Sequence, residues 1–184
     1  MIIFKNIYRS FGENSVLEDL TFSLDGGIHA LIGKSGTGKT TALRIIAGLS
    51  EPDRGTCTAD APISVSFQED RLLPWYSAKK NVSLVSDSQT AELILSQLGL
   101  RDDIEKKPDE LSGGMKKRVS LARALAADAK TVLLDEPFAG LDDETAHMAL
   151  DVIRRHSEGK TVLISTHNTA LAEKMDSIIR ISEG

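Results

Sequence analysis

Residues Gly33 to Thr40 read GKSGTGKT, a run of small residues closed by a lysine and a hydroxyl, and this spacing suits a chain of phosphates. Glycines at 33, 36 and 38 let successive backbone N–H groups turn inward. The start of a following helix adds about half a positive charge toward an anion. Lys39 is set to reach the β- and γ-phosphates of a nucleotide, and Thr40 to ligate Mg²⁺. The candidate nucleotide contacts are therefore Gly33, Lys34, Ser35, Gly36, Thr37, Gly38, Lys39, Thr40 and the adjoining Thr41. Such a loop needs a second oxygen ligand for its metal, supplied from the end of another buried strand. The segment TVLLDEP offers Asp135 for that role, through water, and Glu136 directly after it to polarise an attacking water. Alone, an acidic pair at a strand end is ordinary solvated loop; beside a phosphate loop it reads as metal ligand and general base.

The elements that must position these groups follow from periodicity. Alternating apolar residues (Leu20, Phe22, Leu24) and the turn Asp25-Gly26-Gly27 predict short strands feeding the core strand IHALI. After the glycine-rich loop, Leu43, Ile46 and Ala47 share one helical face, with Gly48 behind them as a stop. A strand is expected at Ile63 to Phe67. Ala91, Ile94, Leu95 and Leu98 predict a helix over Ser88 to Gly99, and the charged stretch RDDIEKKPDE after it reads as mobile. Ser112 can cap the next helix, which carries Met115, Val119, Ala122 and Ala126 in one stripe. Lys116, Lys117 and Arg118 near its start oppose the macrodipole, so they call for an anionic neighbour unless they form a solvated face. The last third alternates strand TVLLD, helix Glu144 to His156, strand TVLIS, a short helix around Leu171, and strand SIIRIS. Continuous apolar strands separated by helices predict a parallel sheet covered on both faces.

The 184 residues are 41% hydrophobic and 27% charged, enough apolar material for one core and one domain. A net charge of -5 argues against a nucleic-acid partner bound by general phosphate neutralisation. The single cysteine, Cys57, allows neither an internal disulfide nor a multi-cysteine metal site, and reads as a small buried hydrophobe in a reducing compartment. The N-terminus has the pattern of neither a signal peptide nor a membrane anchor, and no apolar run is long enough to span a bilayer. Action at a membrane would need a partner to hold the chain there.

LSGGM, Leu111 to Met115, sits at the start of a helix upstream of Asp135, and with it the chain resembles the ABC ATPases over essentially its whole length. The resemblance implies an α/β fold with a P-loop NTPase core and mostly parallel sheet, an N-terminal antiparallel β-subdomain, and a helical subdomain at approximately 69–127 inserted in the core. It implies ATP and Mg²⁺ as ligands and ATP hydrolysis as the activity. It also implies a homodimer in the ATP-bound state, in which Ser112, Gly113 and Gly114 contact the γ-phosphate held by the partner copy, again a helix start aimed at an anion. Met115 departs from the commoner glutamine, outside the Ser-Gly-Gly contact. Gln68 matches the glutamine that links Mg²⁺ and attacking water to the membrane partner, and His167 matches the switch histidine at the γ-phosphate. Ala139 to Asp142, AGLD, matches the loop crossing the dimer interface, although Asp142 equally suits a helix N-cap. Phe11 fits the aromatic that stacks on adenine and Tyr8 is a weaker candidate, with a core role open for either.

The string FQEDRLLPWYSAKKNV is similar to ATPase subunits of bacterial importers in the nitrate, sulfonate, taurine and thiamine-precursor group. That resemblance implies transmembrane permease subunits docking on Leu72, Leu73, Pro74 and Trp75, and indirectly a solute-binding protein. Packing of Trp75 inside the helical subdomain is the alternative. The implied location is cytoplasmic, peripheral on the inner face of the membrane. Non-transport relatives that carry a long coiled coil between the two phosphate-site motifs do not fit, because no heptads separate Lys39 from Asp135.

Overall fold

Ile2, Phe4 and Ile7 are fully buried on β1 (Ile2–Phe11), which pairs antiparallel with β2 (Asn14–Leu24). The computed structural model describes residues 1–181. In place of several short strands, the opening region thus forms one long hairpin around Gly12 and Glu13, bent where the β1–β2 register shifts. β3 (Gly27–Ile32) leaves this hairpin for the central sheet. The free edge of β1 is taken by β4 (Arg54–Ala59), giving the order β2-β1-β4. β4 is absent from the pattern reading because RGTCTA is polar and mostly exposed, without apolar alternation. Its register rests on backbone contact: a side chain at Gly55 would fall 2.2 Å from the Asn6 carbonyl oxygen. Cys57 is half-buried here, and burial pushes its thiol up to about 11, so it is an unreactive packing group.

The second sheet is parallel, in the order β5-β6-β7-β3-β8, with β5 (Ile63–Ser66), β6 (Thr131–Asp135), β7 (Thr161–Thr166) and β8 (Ser177–Arg180). Every residue of β6 and β7 is buried, as expected of strands covered on both faces. Val132 and Leu134 of β6 and Val162 and Ile164 of β7 point to one face, into an apolar cluster with α3 (Ser88–Gln97), α4 (Gly113–Ala126) and α5 (Asp143–Arg155). Leu133 and Leu163 point to the other, where α1 (Lys39–Ile46) and the buried side of the antiparallel sheet meet them. The sheet is therefore sandwiched between two apolar layers, and its strand ends are rigidly placed.

α2 (Ala78–Val82), α3 and α4 pack on one another beside the sheet. Ala91, Ile94, Leu95 and Leu98 are all buried, as their spacing requires. Arg118 donates to the carbonyl of Leu98 at 2.8 Å, supporting the end of α3. The stretch 101–110 is ordered rather than mobile. It forms two short 3-10 turns, and backbone bonds from Ala78 and Lys79 to the carbonyls of Lys106 and Ile104, both 2.8 Å, tie it to α2. Pro108 is buried and Glu110 accepts from the Lys107 N–H at 2.8 Å. The short α6 (Thr169–Ala172) precedes β8.

Candidate functional site

Three neighbouring strands of the central sheet, β3, β7 and β6, end in line, because Ile32 pairs with Thr166 and Asp135 pairs with Ser165. Gly33, His167 and Glu136 are the residues that follow them. Residues far apart in sequence thus meet at the carboxyl edge of a parallel sheet, where such folds hold ligands. A cavity of about 720 Å³ opens there, lined by Lys34, Ser35, Gly36, Gly38, Lys39, Thr40, Thr41, Gln68, Asp135, Glu136, Ala139 and His167, with Phe11 and Val16 at one side. Gly33 and Thr37 lie at the loop itself, where the Thr37 hydroxyl donates to the Lys34 carbonyl at 2.9 Å.

Gly38 begins α1 at φ 93°, a left-handed conformation that brings the chain against β2. A Cβ there would stand 2.8 Å from Val16 and Leu17 atoms. A glycine N-cap has no side chain to bond the first N–H groups of α1, which start beside the cavity. Lys39 is buried and its ammonium donates to the carbonyls of Gly33 at 2.8 Å and Lys34 at 2.9 Å, bracing the loop from within. The backbone cradle, the helix start and this ammonium form a donor set that fits a polyphosphate.

Asp135 is 1% exposed and accepts two hydrogen bonds, from Thr40 Oγ1 at 2.8 Å and from Ser165 Oγ at 2.5 Å. Thr40 and Asp135 supply hard oxygen donors side by side, and these fit Mg²⁺. Glu136 follows in a left-handed backbone, φ 49°, held by its N–H donating to the Ser165 carbonyl at 3.1 Å and hydroxyl at 3.0 Å. A non-glycine residue in this conformation costs about 1–3 kcal/mol and persists only where its surroundings enforce it. The turn aims the Glu136 carboxylate back over the cavity, with Oε1 3.6 Å from Lys39 Nζ and Oε2 2.9 Å from His167 Nδ1.

Phe11 is 55% exposed at the cavity rim, with the Arg9 guanidinium 4.9 Å from its ring centroid, so it is no core residue. Tyr8 is half-buried and does not line the cavity. Ser112, Gly113, Gly114 and Asp142 also lie outside it. Ser112 caps α4, accepting from Met115 N–H at 3.3 Å, and Asp142 caps α5, accepting from Thr145 N–H at 2.8 Å and its hydroxyl at 2.9 Å. Those Thr145 bonds hold the Asp142 carboxyl below the usual carboxylate range.

Leu72 and Leu73 are half-buried, Leu72 against the main apolar cluster, whereas Pro74 is exposed and Trp75 is 64% exposed. Trp75 therefore does not pack inside the helical layer. Asn81, fully buried, shapes this segment: its side chain accepts from Leu73 N–H at 2.8 Å and donates to the carbonyls of Leu73, Tyr76 and Ser77, each at 3.1 Å. Asn81 and Ser165 escape a reading of the sequence, one being an asparagine among lysines and the other a serine in a strand. The one available signal for Ser165 is a hydroxyl at the end of an otherwise apolar strand.

A phosphate loop, a strand-end carboxylate pair and a parallel sheet define a P-loop nucleoside triphosphatase. The chain belongs to the ABC transporter family, whose family model matches residues 17–139. It is an ATP-binding cassette, the ATPase domain of that family. The aliphatic sulfonates import ATP-binding protein SsuB 2 of Pseudomonas syringae pv. syringae is 40% identical over 98% of this chain and 69% of that protein. The macrolide export ATP-binding/permease protein MacB of Campylobacter jejuni is 35% identical over the whole of this chain, which spans only 33% of that protein's length. Among solved structures, a dimeric ATP-binding cassette in a post-hydrolysis state with ADP and Pi matches with a TM-score of 0.90 at 28% identity, covering 100% of this chain and 95% of the other. Among the described residues, no helix is long and apolar enough to cross a membrane.

Proposed function

We propose that this chain hydrolyses ATP to drive a bacterial importer of a small solute, working as a homodimer whose closure over two ATP molecules moves membrane subunits. The observation that carries the hydrolytic part is Glu136, held between Lys39 and His167 beside the Thr40–Asp135 pair. Gly33 to Thr41 bind the triphosphate, Lys39 neutralising its terminal charge. Mg²⁺ held by Thr40 and Asp135, with Gln68 near it, would neutralise charge on the β- and γ-phosphates. Glu136 accepts the proton of the attacking water, and His167, in contact with Glu136, fixes that carboxylate and reaches the γ-phosphate. Phe11 stacks on adenine.

In this reading Ser112, Gly113, Gly114 and Asp142 serve the partner copy's nucleotide. Support comes from their places outside their own cavity, with Ser112, Gly113 and Asp142 exposed, and from the dimeric cassette similar to this chain. Import is supported by the sulfonate-import relatives and by the RLLPW string, whose exposed Pro74 and Trp75, with Leu72 and Leu73 behind them, would receive a permease subunit. A solute-binding protein would deliver cargo to that permease, and the chain would lie at the inner face of the membrane. Glu136→Gln tests the core of this reading. ATP binding is retained and turnover falls at least about a hundredfold, the range for loss of a general base; near-normal hydrolysis by that variant refutes the assignment.

A further inference from the structure

Helix α4 grips the main chain that leads out of β5. Lys117 Nζ donates to the carbonyl of Gln68, and the same ammonium lies 3.1 Å from Asp70 Oδ1. Asp70 Oδ1 makes no aligned hydrogen bond, so this is a charge contact. Two turns further along α4, Arg123 donates to the carbonyls of Asp70 at 3.1 Å and Arg71 at 3.0 Å. Between them Ser120 Oγ meets Ser66 Oγ at 3.0 Å. The Lys117 side chain is only 9% exposed. A lysine near a helix start is usually a solvated face, but an ammonium at this depth would be costly without acceptors. Here its acceptors all belong to residues 68–70, and they satisfy the charge that the helix start disfavours.

The consequence lies at Gln68. Its carbonyl is fixed by Lys117 while its side chain lines the nucleotide cavity. The chain then turns sharply at Arg71, φ 46°, where Arg123 holds the next carbonyls. Gln68 itself is exposed, and its side chain makes none of the hydrogen bonds seen at Asp135 or Glu136. Its direction is therefore set mainly through its backbone. We infer that Lys117 is a positioning residue for hydrolysis: it acts through Gln68, aiming that side chain at the reacting end of the nucleotide. This rests on the role proposed above for Gln68.

The test is a double-mutant cycle in steady-state ATP hydrolysis by the whole chain, with thermal midpoints measured alongside. Gln68→Ala and Lys117→Met should each lower kcat by about tenfold to a hundredfold, the scale of a small displacement at a reacting centre, and leave the KM for ATP within about twofold. The double variant should turn over no slower than Gln68→Ala alone, because a merely structural role would multiply the two losses. Asp70→Asn, at a more exposed position, should show a smaller kcat loss with the same non-additivity, and it carries the test if Lys117→Met does not fold. Wild-type kcat in both the Lys117 and Asp70 variants overturns the inference, as do multiplicative losses. Wild-type kcat in Gln68→Ala instead overturns the role of Gln68 in the proposed function, and the inference with it.

Discussion

Two helices of this chain are capped differently, α1 by Gly38 and α4 by Ser112, and they are built for opposite circumstances. α1 starts at Gly38, buried, with no side chain to cap it and with Lys39, Thr40, Asp135 and Glu136 gathered around its first turn. α4 starts at Ser112, exposed, its hydroxyl already bonded to Met115 N–H. Anions favour both ends by the same dipole. The difference is that the first end is surrounded by the groups proposed to be catalytic, whereas the second lies outside that cavity. In the proposed dimer, the exposed start of α4 would become a phosphate contact when a second copy brings a phosphate to it. The contrast also explains why left-handed backbone sits at the first end, unstrained at the glycine Gly38 and strained at Glu136, with an ordinary side-chain cap at the second.

Three variants distinguish the two helix starts. Lys39→Ala should have the largest effect, weakening ATP binding by at least about a hundredfold through loss of charge-assisted hydrogen bonds worth about 1.5–3 kcal/mol each. Unchanged affinity in a direct binding titration would count against the phosphate loop. Gly38→Ala comes next. Its Cβ meets Val16 and Leu17 at 2.8 Å in a left-handed backbone, so a strain of about 1–3 kcal/mol should appear as weaker ATP binding and a lower thermal midpoint. An unperturbed midpoint would show that the loop tolerates another path. Ser112→Ala should have the smallest effect on a single copy. Loss of the cap costs about 1 kcal/mol of stability in denaturant unfolding, while ATP affinity of the monomer stays within about twofold. If Ser112→Ala weakens monomer binding as Gly38→Ala does, the two ends are not functionally distinct.

The parts of the site legible in sequence are those in which a short run carries both the chemistry and the turn. Gly33 to Thr40 is of this kind, because the glycines that permit the backbone at 36 and 38 lie beside the groups that use it. Asp135 and Glu136 were legible through the apolar strand that precedes them. What was not legible depends on pairing across long separations. Ser165 supports both Asp135 and the Glu136 backbone only because β6 and β7 are adjacent in register. For Lys117 the sequence leaves an anionic neighbour and a solvated face both open, and only residues 68–70 folded against it decide between them. β4 lacked an apolar pattern because its place is fixed by backbone pairing with β1, and residues 101–110 looked mobile because their charges conceal the backbone bonds that tie them to α2.

A site shared between two copies, as proposed, should be visible in light scattering of Glu136→Gln with and without Mg²⁺–ATP. The variant should be monomeric without nucleotide and double its mass with ATP, and adding Ser112→Ala should shift that transition to higher protein concentration. A variant that binds ATP yet stays monomeric at every concentration would contradict the shared site.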